Sequence, residues 1–251
     1  MNKSLVHQLQ ALKLNYLADQ LPELLKQVRK TKPSYQRFIE DLIDRQYTHS
    51  QEQSRKSRLK RANIPQVYLM ETFPFNQQPR LDRRMIIEMH DSLSFIEDKE
   101  DLIFIGPTGC GKTGLATAYL VESINRGYRG RFIEFKDLIQ QFNNAIADHT
   151  QEKLLRRFQS YHTLLIDEIG YTPLDKETAA LFFDLMKSRT NQYTTIITTQ
   201  LGFDQWNYFL KNTHMRAALL DRITVCCTVF NMDNFVSIRP KKIKYASKSK
   251  Q

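Results

Sequence analysis

Apolar residues recur at spacings of three and four over the first part of the chain. Leu5, Leu9, Leu12, Tyr16 and Leu17 predict helix over residues 2–30, with Pro22 expected to begin a second helical piece carrying Leu24, Leu25 and Val28. Thr31-Lys32-Pro33-Ser34 reads as a break. A longer helix follows, with Phe38, Ile39, Leu42, Ile43 and Tyr47 on one face, and it turns strongly polar and basic from Thr48 to Arg61. Asn63-Ile64-Pro65 ends it, because the residue before a proline is pushed out of the helical region. Residues 66–80 are loop-like, with Phe73 and Phe75 flanking Pro74, and Leu81–Phe95 regains a helical period through Leu81, Met85, Ile86, Met89 and Leu93.

Beyond residue 100 the pattern changes. Short apolar or β-branched runs predict strands at Leu102–Ile105, Arg131–Phe135, His162–Ile166, Tyr193–Thr199 and Val225–Phe230. Helix-periodic stretches separate them: a run through Leu115, Ala116, Ala118, Tyr119 and Leu120, then Asp137–Ala147, Thr150–Tyr161, Asp175–Arg189 and two shorter pieces around 203–211 and 214–221. Strands alternating with helices imply an α/β domain with a parallel sheet covered on both faces. The expected organisation is a small helical N-terminal domain or arm over 1–64, an α/β core over 65–238 and a basic tail over 239–251.

The first predicted strand runs straight into Gly106-Pro107-Thr108-Gly109-Cys110-Gly111-Lys112-Thr113, followed by Gly114 and a helix. This is a phosphate-binding loop in the context that it needs, strand before and helix after. A polyphosphate must lie against bare backbone, so glycines stand where a Cβ would collide. The N–H groups of the loop and of the helix N-terminus then point at the anion. Lys112 supplies a mobile cation for the β- and γ-phosphates, and the Thr113 hydroxyl is placed to ligate Mg²⁺.

A second apolar run, Leu164-Leu165-Ile166, ends in Asp167-Glu168, and Asp167 lies 55 residues after Lys112. Asp167 at the strand end is suited to hold Mg²⁺ through its water shell. Glu168, on the opposite side of the strand, is suited to orient and deprotonate an attacking water. The pair argues for ATP hydrolysis over phosphoryl transfer to a metabolite. The fourth strand should lie beside the first and end near the γ-phosphate, where Gln200, with Thr199 as the fallback, could hold the nucleophilic water. Arg222 follows Asp221 just before the fifth strand; composition alone reads it as an ordinary ion-pairing residue.

Charge adds a partner. The formal net charge is +10 and the pI near 9.5, which fits a protein that meets the nucleic-acid backbone. Arg55, Lys56, Arg58, Lys60 and Arg61 crowd one short stretch, and Lys153, Arg156 and Arg157 share a helix face. The tail from Arg239 carries Lys241, Lys242, Lys244, Lys248 and Lys250 without an acid. Cys110, Cys226 and Cys227 have no metal-binding spacing and suggest no disulfide framework. The polar-interrupted N-terminus and the absence of a long apolar run lead us to expect a cytoplasmic protein.

Taken together, Gly106–Thr113, Leu164–Tyr171 (LLIDEIGY), Thr195–Gln200, Trp206 and Ala217–Arg222 (AALLDR) closely resemble IstB-like proteins. These are ATPase helpers of insertion-sequence transposition, relatives of the DnaC helicase loaders and DnaA initiators in the AAA+ class. The resemblance covers nearly the whole chain, including the Ile64–Phe75 loop. It implies an AAA+ core with strand order 5-1-4-3-2, while the short stretch after the fifth predicted strand leads us to expect a C-terminal lid largely absent. It also implies an ATP-bound homo-oligomer that engages double-stranded DNA and recruits a cognate transposase. By the same resemblance Glu168 would be the catalytic base, Gln200 the sensor residue and Arg222 an arginine finger acting on a neighbouring subunit. Lys153, Arg156 and Arg157 would face DNA, and Arg239 would match a late arginine near the nucleotide. Two positions depart from the pattern. Cys110 replaces a small hydroxyl residue, and Gln200 replaces the usual Asn, one methylene longer. A DnaC-type loader shares the site and the charge and differs in its protein partner. A small-molecule kinase fits Glu168 and the basic clusters poorly.

Overall fold

The computed structural model describes residues 3–232 together with residues 235, 237 and 238. The basic tail and Arg239 lie outside the described residues. The chain divides into two compact units between Ser57 and Arg58.

The first unit holds α1 (Lys3–Ala11), α2 (Asn15–Thr31) and most of α3 (Tyr35–Ala62). The helical pattern of residues 2–30 is broken, but not where proline predicted. Pro22 sits inside α2, and the chain instead turns between Ala11 and Asn15, where Lys13 is left-handed (φ 60°) and the Leu14 N–H reaches the Leu9 carbonyl at 2.8 Å. The buried face of α2 carries Leu17, Ala18, Leu21 and Leu24. The Leu17 N–H donates to Gln46 Oε1 at 3.2 Å, and Tyr16 stacks on His49 with ring centres 4.1 Å apart. The inward face of α3 is accordingly narrower than its apolar residues suggest. Phe38 and Leu42 are half-buried, in line with Gln46 and His49, whereas Ile39, Ile43 and Tyr47, one step round the helix, are exposed.

The second unit is built on a parallel sheet of β1 (Asp101–Ile105), β2 (Gly130–Glu134), β3 (Thr163–Ile169), β4 (Thr194–Thr199) and β5 (Cys227–Asn231), in the order β2-β3-β4-β1-β5. This is the expected order read from its other edge. The helices are α4 (Arg83–Ser92), α5 (Ser94–Glu97), α6 (Lys112–Asn125), α7 (Phe135–Ala147), α8 (Gln151–Gln159), α9 (Lys176–Arg189) and α10 (Thr213–Thr224). Alternation along each strand feeds separate cores. Ile103, Ile105, Ile133, Leu164, Ile166 and Ile197 face the layer of α7, α9 and α10, with Phe182 and Trp206. Leu102, Phe104, Phe132, Leu165 and Ile196 face the layer of α6, with Tyr119 and Phe230. A strand buried on both faces reads as an apolar run, which is why β1 and the first part of β3 were visible; β4 was visible as a β-branched run.

The loop-like stretch 66–80 contains short 3₁₀ turns at Met70–Thr72 and Phe75–Gln77. The piece expected around 203–211 is a 3₁₀ helix, Phe203–Tyr208. Among the described residues no helix is long and apolar enough to cross a membrane.

Candidate nucleotide site

β1 and β4 pair in register from Leu102–Ile196 to Ile105–Thr199, so both end at one edge of the sheet. There the Gly106 N–H donates to the Thr199 carbonyl at 3.2 Å, and the chain turns into the loop. Gly106, Gly109 and Gly111 all have positive φ, at 154°, 84° and 106°. Gly111 caps α6, and a Cβ there would stand 2.7 Å from the Phe73 ring. The loop is thus shaped by backbone conformations that L side chains avoid, and it delivers the positive end of α6 to the strand ends.

A cavity of about 510 Å³ opens over this edge. Thr108, Gly109, Gly111, Lys112, Thr113 and Gly114 line one side. Glu168 and Tyr171 enter from the end of β3, and Thr198, Thr199 and Gln200 from the end of β4. Gln66–Leu69 and Thr72–Pro74 form the remaining wall. Lys112 is buried, and its ammonium donates to the carbonyls of Gly106 at 2.6 Å and Pro107 at 2.8 Å. Burial pulls its pKa down, opposed by Cys110, Asp167 and Glu168. Cys110 is buried beneath the loop with its sulfur 3.9 Å from the ammonium.

The acids sit on a bulge. β3 and β4 pair regularly to Ile166–Ile197 and resume at Ile169–Thr199, so Asp167 and Glu168 fall in the irregularity. Asp167 is buried and Glu168 exposed, the division expected of them. It is achieved by a left-handed Glu168 (φ 60°) rather than by simple strand alternation. Asp167 Oδ1 accepts from the Thr113 hydroxyl at 3.0 Å and from the Thr198 hydroxyl at 2.5 Å. Burial raises the Asp167 pKa, with the hydroxyl bonds from Thr198 and Thr113 opposing it. The hydroxyl and carboxylate that meet here are hard oxygen donors, the set Mg²⁺ takes beside phosphate and water.

Gln200 donates from Nε2 to the Thr108 hydroxyl, so it stands across the loop from β4. Arg222 lies on α10 and is not among the residues lining the cavity. Its Nε is buried with no hydrogen-bond partner among the described residues, and its Nη1 is 3.9 Å from Asp221. The basic clusters also lie outside the cavity lining. Arg55 and Lys56 pair with Glu52 at 2.9 and 3.6 Å. Arg58 Nε donates to the Ile124 carbonyl at 3.3 Å, while Lys60 and Arg61 are exposed. On α8, Lys153, Arg156 and Arg157 are exposed, with Arg156 paired to Glu152 and Arg157 bonded to Gln141.

Several residues of the site carried no signal in the sequence. Thr198 read only as β-branched strand. Gln78, in the loop-like stretch, is buried and donates to the Cys110 carbonyl at 3.1 Å, bracing the loop from beneath. Past β5 the chain returns to the loop. The Met232 N–H reaches the Ile105 carbonyl at 2.7 Å, and the Ile238 N–H reaches that of Gly109 at 2.9 Å.

Residues 7–246 match the family of the IstB-like ATP binding protein. The chain belongs to the IstB-like family. It is 33% identical to the insertion sequence IS21 putative ATP-binding protein of Pseudomonas aeruginosa, over 89% of this chain and 84% of that protein. It is 35% identical to the IS5376 putative ATP-binding protein of Geobacillus stearothermophilus, over 79% of each. Among solved structures this IstB-like chain resembles DnaI (TM-score 0.56, 17% identity, 67% of this chain and 94% of that one). It also resembles AMPPCP-bound DnaA from Aquifex aeolicus (TM-score 0.54, 19% identity, 67% and 51%). At these identities the likeness carries the fold alone, a parallel α/β core.

Proposed function

We propose that this IstB-like chain is an ATP-dependent, DNA-binding helper of transposition. It binds ATP with Mg²⁺, assembles on double-stranded DNA as an ATP-bound homo-oligomer and recruits a cognate transposase in the cytoplasm. Hydrolysis of ATP to ADP and phosphate resets it. The observation that carries this reading is the convergence of Lys112, Thr113 and Glu168 on one cavity, with Asp167 joined to Thr113 at 3.0 Å beneath it.

The loop N–H groups and the α6 terminus hold the phosphates, and Lys112 shifts from the loop carbonyls to phosphoryl oxygens. Thr113 and Asp167 would hold Mg²⁺, which neutralises charge on the β- and γ-phosphates. Glu168 takes a proton from the attacking water, whose oxygen bonds to the γ-phosphorus as the bond to the β–γ bridging oxygen breaks. Gln200, close to Thr108, orients that water. Arg222 acts in trans: it lies away from its own cavity lining, and its side chain is part-exposed, open to an anionic neighbour. Arg55, Lys56, Arg58, Lys60, Arg61, Lys153, Arg156 and Arg157 contact phosphate backbone, and Arg239 and the tail add charge.

The test is sedimentation of the full chain with duplex DNA, comparing ATP plus Mg²⁺ with ADP and with no nucleotide. A large complex that forms only with ATP is expected. DNA binding indifferent to nucleotide would overturn the assembly step and favour a loader whose client is another protein.

A further inference from the structure

Tyr171 follows the acids by three residues, yet the hydrolytic scheme gives it no part. It is 57% exposed and lines the cavity beside Glu168. The backbone brings it there by design of the turn. Glu168 and Gly170 are both left-handed, at φ 60° and 112°. A Cβ on Gly170 would stand 2.4 Å from Leu201 Cδ1, so this turn is packed against the chain that leaves β4 and admits glycine alone. The turn leaves Tyr171 on the wall of the cavity, which Thr108 of the phosphate loop also lines. The Thr108 hydroxyl accepts from the Gln200 amide. Groups from the ends of β3 and β4 therefore line the cavity together with Thr108 and Glu168.

Both groups that converge there are suited to donate. The Gln200 amide carries N–H donors, and a phenol, with an ordinary pKa of about 10, keeps its proton at neutral pH. Oxygens of a terminal phosphoryl group are acceptors only, and a neutral O–H meets them without a charge penalty. Resting on the nucleotide reading above, we infer that Tyr171 discriminates nucleoside triphosphate from diphosphate: from the cavity wall its O–H donates to an oxygen of the terminal phosphoryl group. The γ-phosphate then bridges the ends of β3 and β4, and its loss leaves Gln200 on Thr108.

The experiment is equilibrium titration of the full chain, wild type and Tyr171→Phe, with a fluorescent non-hydrolysable methylene analogue of ATP and with fluorescent ADP. Removing one exposed oxygen leaves the fold intact. The triphosphate analogue should bind about tenfold more weakly to Y171F, the loss of one hydrogen bond to a charged group, with ADP affinity unchanged. A parallel loss for both nucleotides would reduce Tyr171 to a brace for the loop, and no change for either would leave it without a role; each overturns the inference while leaving the nucleotide site standing. A wild-type chain that binds neither nucleotide overturns the site and the inference together.

Discussion

The Thr198 hydroxyl donates to Asp167 Oδ1 at 2.5 Å while accepting the backbone N–H of Glu168 at 2.9 Å. One side chain on β4 thus fixes both acids of the β3 bulge: the buried carboxylate through its oxygen, and the exposed one through its backbone. Since β3 and β4 lose their regular ladder between Ile166 and Ile169, the hydroxyl takes over a contact that the backbone no longer makes. In a Thr198→Val protein the shape is kept, but the Glu168 N–H loses its acceptor and Asp167 keeps only Thr113. Stability should fall by about 1–3 kcal/mol, and ATP hydrolysis should fall further than ADP binding. Thermal unfolding and turnover, measured on the same preparation, check this. Wild-type turnover in the valine variant would mean that the acids are held by something other than Thr198.

How far the sequence could carry this is clear from particular residues. β1 and β3 were legible because their centres are buried on both faces and therefore apolar, β4 because its threonines and isoleucines are β-branched throughout, and the loop because its spacing is tied to a strand and a helix. Thr198 was not, since a β-branched strand residue looks the same whether its hydroxyl is used or idle. The left-handed Glu168 was hidden as well, because nothing about a glutamate announces positive φ. Pro22 misled because a proline signals a helix start only as a tendency, and here the break falls at Lys13 instead.

Glu168→Gln separates binding from chemistry. The amide matches the carboxylate in size at an exposed position, so the loop, Lys112 and the Thr113–Asp167 contact remain. ATP binding should stay near wild type while hydrolysis drops by roughly 10²–10⁴-fold, the range of a lost general base. Single-turnover phosphate release together with a binding titration reads both quantities. Unimpaired hydrolysis would remove Glu168 as the base.

Asp101 gives the fold a pH dependence. Its buried carboxylate accepts the Thr195 N–H at 2.6 Å at the start of β1. Burial pushes its pKa up from 3.8 to about 7, against the opposing pull of the Thr195 bonds and the Arg189 charge. Between these values the folded chain holds a proton that the unfolded chain has released, so stability is fully present below the unfolded value and declines as pH rises through the folded one. The loss approaches about 4 kcal/mol at its upper limit. Denaturant unfolding at pH 5 and pH 8 should show the wild type losing more stability over this interval than Asp101→Asn, which cannot ionise. Equal losses in the two proteins would place the Asp101 pKa near its ordinary value.

The basic residues of α3 are not equivalent, and that decides how their role is tested. Arg58 spends its guanidinium on the Ile124 carbonyl in the last turn of α6, where a cation also meets the negative end of the helix. Replacing it perturbs the fold as well as the charge. Lys60 and Arg61 are exposed, so Lys60→Ala with Arg61→Ala removes charge at smaller structural cost. If both reach phosphate, duplex affinity should fall at every salt concentration. The slope of log K against log salt should then shrink by about 2, since each released counterion contributes about 0.9. Loss of affinity without a change of slope would mean an indirect structural effect. An unchanged affinity and slope would leave the two as solvated surface, and DNA contact would pass to Lys153, Arg156 and Arg157, whose exposed face on α8 makes them the next triple to neutralise.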